Sequence, residues 1–159
     1  LPRPMLHSGN FNFSFSGLKT ALLYATKTYR EKNNLPETDP LPEAFVNAAA
    51  HEFQGAAIQV LVHKTTQAAK HFGVSHVLLA GGVSANRLLQ KNLADALKKD
   101  SPNINFSIPD PALTTDNAAM IGIAAAWRWK ALSPKEREEA RNTWKTLETK
   151  ANGSLVEKK

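Results

Sequence analysis

The stretch that most constrains what this chain can fold into is VLLAGGVSAN, at residues 77–86. Four residues of low polarity run into Gly81 and Gly82, and a helical pattern headed by Ser84 and Asn86 follows. This order predicts a buried strand, a turn at the two glycines and a helix. Glycine reaches positive φ and lets other groups approach the backbone, so the amides of such a turn can face a phosphate. A tight turn without any ligand explains the same residues, and the stretch alone leaves both interpretations open.

The composition is typical of a basic globular protein. Of the 159 residues, 42% are hydrophobic and 21% are charged, and the sequence contains neither a long apolar run nor a cysteine. We therefore predict a cytoplasmic protein without a membrane span, a disulfide or a thiolate nucleophile. The opening LPRPMLHSG has no secretory pattern. The net charge of +6 favours polyanionic partners such as RNA, although lysines on exposed helices also serve solubility.

The periodicity along the chain predicts an α/β structure with few strands for its length. The alternating Phe11, Phe13 and Phe15 predict a half-buried strand that ends at Gly17. Helical spacing follows from Leu18 to about residue 33, and then a proline-rich loop over residues 35–44. We next expect a long, buried central helix that ends near residue 71 and is stopped by Gly73.

The second half of the chain continues this α/β pattern. After the glycine turn we predict a helix that ends near Lys99 and a short strand over Asn105–Ile108. A helix rich in small residues follows, which Thr115 or Asp116 can cap, and these small residues would allow close packing against a neighbour. We divide the chain into a lobe at residues 1–132 and a charged peripheral helix with a loose tail at residues 133–159.

Several familiar catalytic patterns are absent from the sequence. His51 and Glu52 begin an apparent HExxH motif, but Gly55 stands where the second histidine of a zinc protease is required. The stretch SFSGLKT lacks the earlier glycine of a phosphate-binding P-loop, and the sequence has no GxSxG nucleophile motif. The five histidines do not form a short-range ligand set, because His63 and His71 lie about 12 Å apart along a helix.

Asp116 is the one carboxylate whose position suggests chemistry. It follows a proline-bearing strand exit and stands at a predicted helix start, in TTDN. A helix N-cap explains an aspartate there. It can also be a carboxylate ligand for a metal cation, in which case its partners must come from another segment of chain.

Three stretches in order resemble the TsaD family of tRNA threonylcarbamoyladenosine synthesis proteins, formerly called O-sialoglycoprotein endopeptidases or the glycoprotease family. They are FSFSGLKTA at residues 13–21, LLAGGVSANRLL at residues 78–89 and TTDNAAMIGIAA at residues 114–125. The resemblance implies an actin-like ATPase fold, shared with Hsp70 and sugar kinases, of which this chain holds the C-terminal lobe only. The N-terminal lobe and its HxxxH metal ligands are not in the sequence.

The resemblance also implies site residues. Asn86 matches the asparagine that contacts the adenylate substrate, and Gly81 and Gly82 match the glycines of the nucleotide-side loop. Asp116 matches the carboxylate that joins two histidines on an iron or zinc ion. Ser16, Gly17 and Lys19 match a motif that we assign to the fold, and no general base is assigned.

The implied reaction transfers a threonylcarbamoyl group from threonylcarbamoyl-AMP to N6 of the adenosine beside the anticodon, in tRNAs that read codons starting with A. The implied partners are tRNA and proteins of the TsaB and TsaE types, without a membrane. Two alternatives stay open: a fragment that is not catalytic alone and serves as a nucleotide-cleft or partner-binding module, and a metalloendopeptidase as in the older family name.

Overall fold

The computed structural model describes residues 1–146. The chain divides into two compact units, with the boundary between Thr115 and Asp116, and each is described by itself. The first unit contains three α-helices and a parallel pair of short strands, an α/β arrangement. The second unit contains the helices that follow Asp116.

Two helices occupy the first half of the chain, as predicted. Helix α1 spans Ser16–Lys32 and helix α2 spans Glu43–Phe72. The proline-rich segment between them is irregular and ends at Pro42, the N-cap of α2. Gly73 ends α2 in the left-handed conformation, with φ of 59°. Its N–H donates to the Lys70 carbonyl, which satisfies one of the acceptors that a helix end leaves open.

A strand–helix–strand unit follows α2. Strand β1 is His76–Leu78, helix α3 is Arg87–Asp100 and strand β2 is Asn105–Ser107. The strands pair in parallel, with Val77 opposite Phe106. Parallel strands need a crossover between them, and α3 provides it.

The core of the first unit lies where α2, α3 and the two strands meet. Ala69 of α2 and Leu93 and Leu97 of α3 are buried there. The partly buried residues packed against this cluster are Val62, Val77, Leu79, Ile104 and Phe106. This packing fixes the end of β1 relative to α2 and α3, and with it the start of the turn at Gly81 and Gly82.

The second unit contains helix α4, Ala118–Ala131, and the short helix α5, Pro134–Asn142. Ser133 caps α5 with a capping box: its hydroxyl accepts from the Glu136 N–H, and the Glu136 carboxylate accepts from the Ser133 N–H. A helix of mostly charged and polar residues is therefore present after Ser133. The loose tail predicted beyond it falls on residues 147–159, which lie outside the described residues, and the boundary at residues 132/133 stays a prediction.

The strand predicted from Phe11, Phe13 and Phe15 is wrong. Residues 12–15 have no regular structure, and α1 begins at Ser16 rather than Leu18. A strand needs a hydrogen-bonded neighbour, and in residues 1–146 the sheet consists of β1 and β2 alone. The Phe11 ring packs instead against the rings of His71 and Phe72, at 5.2 and 5.3 Å between centroids.

Two other expectations need correction. Strand β1 is not buried on both faces, because the core covers only one side of the sheet and Leu78 is 65% exposed. The cap of α4 is neither Thr115 nor Asp116 but Asn117, whose carboxamide oxygen accepts from the Met120 N–H at 2.9 Å. The small residues of α4 would allow close packing, and within residues 1–146 no residue of this helix is buried.

No helix within residues 1–146 combines the length and the apolar character needed to span a bilayer.

Two glycines of α2 make a matched pair of substitutions with opposite expected effects. Gly55 lies inside the helix and Gly73 ends it at positive φ, and an added Cβ meets no atom within 4 Å at either position. Gly55→Ala should raise the free energy of unfolding by about 0.5–1 kcal/mol because alanine favours the helix. Gly73→Ala should lower it by about 1 kcal/mol because of the left-handed backbone. Urea denaturation of both variants measures the two changes, and equal signs would contradict these helix bounds.

Candidate functional site

The candidate site is the turn that joins β1 to α3. Gly81 has φ of 86° and ψ of 173°, a conformation that glycine adopts readily and other residues rarely do. Gly82–Ala85 form one turn of 3-10 helix, and Asn86 is the N-cap of α3. The structure thus brings Gly81, Gly82 and Asn86 together in one turn, where the sequence predicted them. We call residues 81–86 the glycine turn.

The Asn86 side chain holds the glycine turn to both neighbouring helices. Its Oδ1 accepts a hydrogen bond from the Leu89 N–H at 3.0 Å, which caps α3. Its Nδ2 donates to Oε1 of Gln54, on α2, at 3.0 Å. One carboxamide therefore joins the start of α3 to the middle of α2.

A second glutamine fastens the middle of the turn. Gln90 Nε2 donates to the Ser84 carbonyl at 2.7 Å. Neither Gln54 nor Gln90 was identified from the sequence. A single glutamine on a helix carries no pattern of its own, so only the folded arrangement reveals these two contacts.

Gly82 is a glycine that the fold does not require. Its backbone is not at positive φ, and it is exposed. A Cβ added to it meets no atom within 4 Å. Since neither conformation nor packing within the described residues explains a glycine there, the open space is available to a group that approaches the backbone.

Ser84 has a buried hydroxyl that lacks a partner. The residue is 0% exposed, and within residues 1–146 its Oγ is the buried side-chain atom without a hydrogen bond. A buried hydroxyl left unpaired costs about 1–3 kcal/mol. Buried polar groups without a partner are rare in folded proteins.

Asp116 does not belong to the glycine turn and is the first residue of the second unit. It is exposed, and the cap of α4 is its neighbour Asn117. In the described part of the chain, no group of three His, Cys, Asp or Glu side chains is placed to hold a metal ion. The residues present therefore do not make the implied iron or zinc site, and Asp116 supplies one carboxylate at most.

A cavity of about 540 Å³ lies elsewhere in the first unit, lined by α2, α3 and Arg3, and contains none of the predicted site residues. Arg3 and Glu52 line it and form an ion pair, with 2.6 Å between Nη1 and Oε1. The hydrogen bond from Arg3 holds the pKa of the Glu52 carboxyl below its ordinary value. This pair ties the N-terminal segment to α2, and its contribution is lost as the pH falls through the lowered pKa.

Comparison with known protein families matches residues 1–123 to TsaD, described as tRNA N6-adenosine threonylcarbamoyltransferase. The match covers more than half of the chain and includes the glycine turn and Asp116. The chain belongs to the TsaD family.

Individual TsaD relatives agree with this assignment. The chain is 46% identical to the tRNA N6-adenosine threonylcarbamoyltransferase of Geobacillus kaustophilus over 124 residues, which cover 78% of the chain and 34% of the relative. It is 47% identical to the protein of the same name from Bordetella petrii over 131 residues, 82% of the chain and 35% of the relative. For the Thermosipho africanus protein of the same name the identity is 44% over 123 residues, which cover 77% of the chain and 34% of the relative. The chain thus spans about a third of the length of the TsaD relatives it matches.

The buried hydroxyl of Ser84 in this TsaD turn gives a stability test. Ser84→Ala should raise the free energy of unfolding by about 1 kcal/mol, because it removes a polar group without a partner. The matched control is Thr66→Val in α2, where the buried hydroxyl donates to the carbonyls of Val62 and His63. Losing these hydrogen bonds should lower the free energy of unfolding by up to about 1 kcal/mol. Chemical denaturation measures both, and a loss of stability in Ser84→Ala would show that the hydroxyl has a partner after all.

Proposed function

We propose that this chain is the C-terminal part of a threonylcarbamoyltransferase and that its glycine turn contacts the nucleotide of threonylcarbamoyl-AMP. The observation that carries the proposal is Gly82, where the backbone is exposed and the space for a side chain is open. It stands beside Asn86 in a turn that two helices hold in place. A fixed turn with an accessible backbone at a helix start is suited to a phosphate-bearing ligand.

Asn86 can contact the ligand without giving up its structural role. A carboxamide has two N–H donors and two acceptor lone pairs, and the contacts to Gln54 and Leu89 use one of each. The second N–H and the second lone pair remain for a ligand. Because the cap and the Gln54 contact fix the side chain, little rotamer freedom is lost on binding.

In the proposed reaction, N6 of the tRNA adenosine attacks the carbonyl carbon of the threonylcarbamoyl group. A C–N bond forms, the bond between that carbon and the phosphate oxygen breaks, AMP leaves and N6 loses a proton. The glycine turn contributes by holding the AMP portion in a fixed orientation, which lowers the barrier by positioning. Its six residues include no carboxylate, imidazole or amine, so we assign them no proton transfer.

Asp116 is proposed as one oxygen ligand of an iron or zinc ion, with the other ligands from outside the described residues. Two observations support this role: the aspartate is exposed, and the adjacent helix is capped by Asn117. The cap that would otherwise explain an aspartate at this place is therefore already supplied. No step of the reaction is assigned to the metal.

The wider setting follows from the same proposal. The parallel strand–helix–strand unit is compatible with one lobe of an actin-like ATPase fold, and the net charge of +6 is compatible with a tRNA substrate. We propose TsaB-type and TsaE-type proteins as partners, and the cytoplasm as the place of action.

A second candidate is that the chain on its own binds nucleotide without catalysis. It is favoured by the extent of the chain, which spans about a third of its relatives, and by the lack of a three-ligand metal site within residues 1–146. A metalloendopeptidase needs such a site and gains no support from the described residues.

A chimera tests the transferase proposal. This chain replaces the matched region of the Geobacillus kaustophilus relative, and transfer from threonylcarbamoyl-AMP to tRNA is measured with the partner proteins present. The chimera should be active, and Gly82→Ala should lower the rate about tenfold or more by filling the space for the nucleotide. Gly55→Ala, also a change into open space but away from the turn, is the control and should leave the rate unchanged.

An inactive chimera that is folded and binds tRNA would overturn the proposed activity. Equal rates for the unmodified chimera and Gly82→Ala would remove the glycine turn from the nucleotide site, even if transfer occurs.

The Asp116 proposal is tested by metal content. The chimera should bind one iron or zinc ion, and Asp116→Asn should weaken this binding at least about tenfold because a charged ligand is lost. Asp110→Asn is the control, since that exposed aspartate caps a short 3-10 turn. The isolated 159-residue chain should bind the metal far more weakly than the chimera, and equal affinity would exclude Asp116 as one ligand of a divided site.

A further inference from the structure

A second cavity of the first unit, of about 480 Å³, lies between the N-terminal segment and α2. Its basic lining residues are Lys64 and the histidines His7, His63 and His71. Asn10 and Gln67 add polar groups, and none of its lining residues is acidic. The glycine turn does not line it, so it is separate from the proposed nucleotide contact. We call it the basic cavity.

Lys64 is buried in the wall of the basic cavity without a counter-ion. It is 5% exposed, and its ammonium donates to Ser8 Oγ at 2.9 Å and to the Asn10 carbonyl at 2.5 Å. An ammonium has three N–H donors, so one remains. In residues 1–146 no carboxylate pairs with it. A buried charge without an opposite charge is costly, and an anion in the cavity would remove that cost.

The three histidines add further donors around the same space. The rings of His7 and His63 meet edge to face, with 5.7 Å between centroids. The ring of His71 packs against the ring of Phe11, with 5.2 Å between centroids, and both residues line the cavity. Each imidazole carries at least one N–H in any protonation state, so each can donate to an anion.

A metal ion does not fit this cluster. Within the described residues, no three His, Cys, Asp or Glu side chains are arranged to bind one. The Lys64 ammonium in the wall would also repel a cation. The volume of about 480 Å³ is within the range of small-ligand sites and admits a phosphate with the group it is attached to.

We infer that the basic cavity binds a phosphate group, with Lys64 as its buried cationic anchor and the three histidines as additional hydrogen-bond donors. The phosphate is either free or part of an RNA backbone. The RNA source rests on the proposed function, whereas phosphate binding itself does not.

The first test is calorimetric titration of the 159-residue chain with inorganic phosphate. Lys64→Met keeps the aliphatic stem and removes the charge, and it should weaken phosphate binding about tenfold or more. Lys70→Met is the matched control, because Lys70 is an exposed lysine of the same helix that does not line the cavity. It should change the affinity less than about twofold. No binding by the unmodified chain, or equal weakening by both variants, would overturn the inference.

A second pair of variants covers the case in which Lys64→Met releases the segment around Ser8 and Asn10. His63→Phe and His71→Phe keep a planar ring, leave the Lys64 anchor intact and should each weaken phosphate binding about threefold, since each removes the N–H donor of one imidazole. Circular dichroism checks that both are folded. Phosphate affinities equal to that of the unmodified chain in both variants would remove the histidines from the site and contradict the inference.

A competition experiment distinguishes the two sources of phosphate. If the source is RNA, a short single-stranded RNA should displace inorganic phosphate, and Lys64→Met should weaken RNA binding while Lys70→Met does so only slightly. If the RNA does not compete, the source is a free phosphate or a small phosphate ester. Binding of inorganic phosphate does not depend on transfer activity. A failure of phosphate binding can therefore be distinguished from a failure of the transferase proposal.

Discussion

The arrangement of the candidate site depends on one carboxamide. Asn86 accepts from the Leu89 N–H, which fixes the start of α3, and donates to Gln54, which fixes that start against α2. The buried contacts of Ala69 with Leu93 and Leu97 hold the same two helices together from the apolar side. The glycine turn is thus set by polar contacts at its surface and by the core beneath it, before any ligand is bound.

Much of the first unit follows from sequence because its signals are local. Gly73 at the end of α2 and the double glycine after β1 mark boundaries through backbone conformation, which neighbouring residues determine. The three motifs in order also identified the family and, with it, the expected site residues. The placement of Gly81, Gly82 and Asn86 in one turn confirms the predicted strand–turn–helix order there.

Sequence-based predictions are wrong where the local structure depends on a partner residue far away in the sequence. The alternation of Phe11, Phe13 and Phe15 fits a strand, but a strand forms only with a neighbour, and these rings pack on α2 or on each other instead. Thr115, Asp116 and Asn117 are adjacent residues whose side chains can each cap a helix. Composition does not determine which of them is the cap, and in the structure it is Asn117. Gln54 and Lys64 have roles visible only once α2 is packed against the N-terminal segment and α3. The actin-like fold, the metal and the partner proteins remain predictions.

A titration of the ¹⁵N-labelled chain with AMP, followed by NMR, tests whether the glycine turn contacts the nucleotide. If the glycine turn is a preformed nucleotide contact, the shifts should concentrate on the backbone amides of residues 81–86 and on the side-chain amide of Asn86. The Gln54 side-chain amide should also respond, since it bonds to Asn86. Unchanged signals of the glycine turn, or shifts confined to the residues around Lys64, would contradict nucleotide contact at the turn.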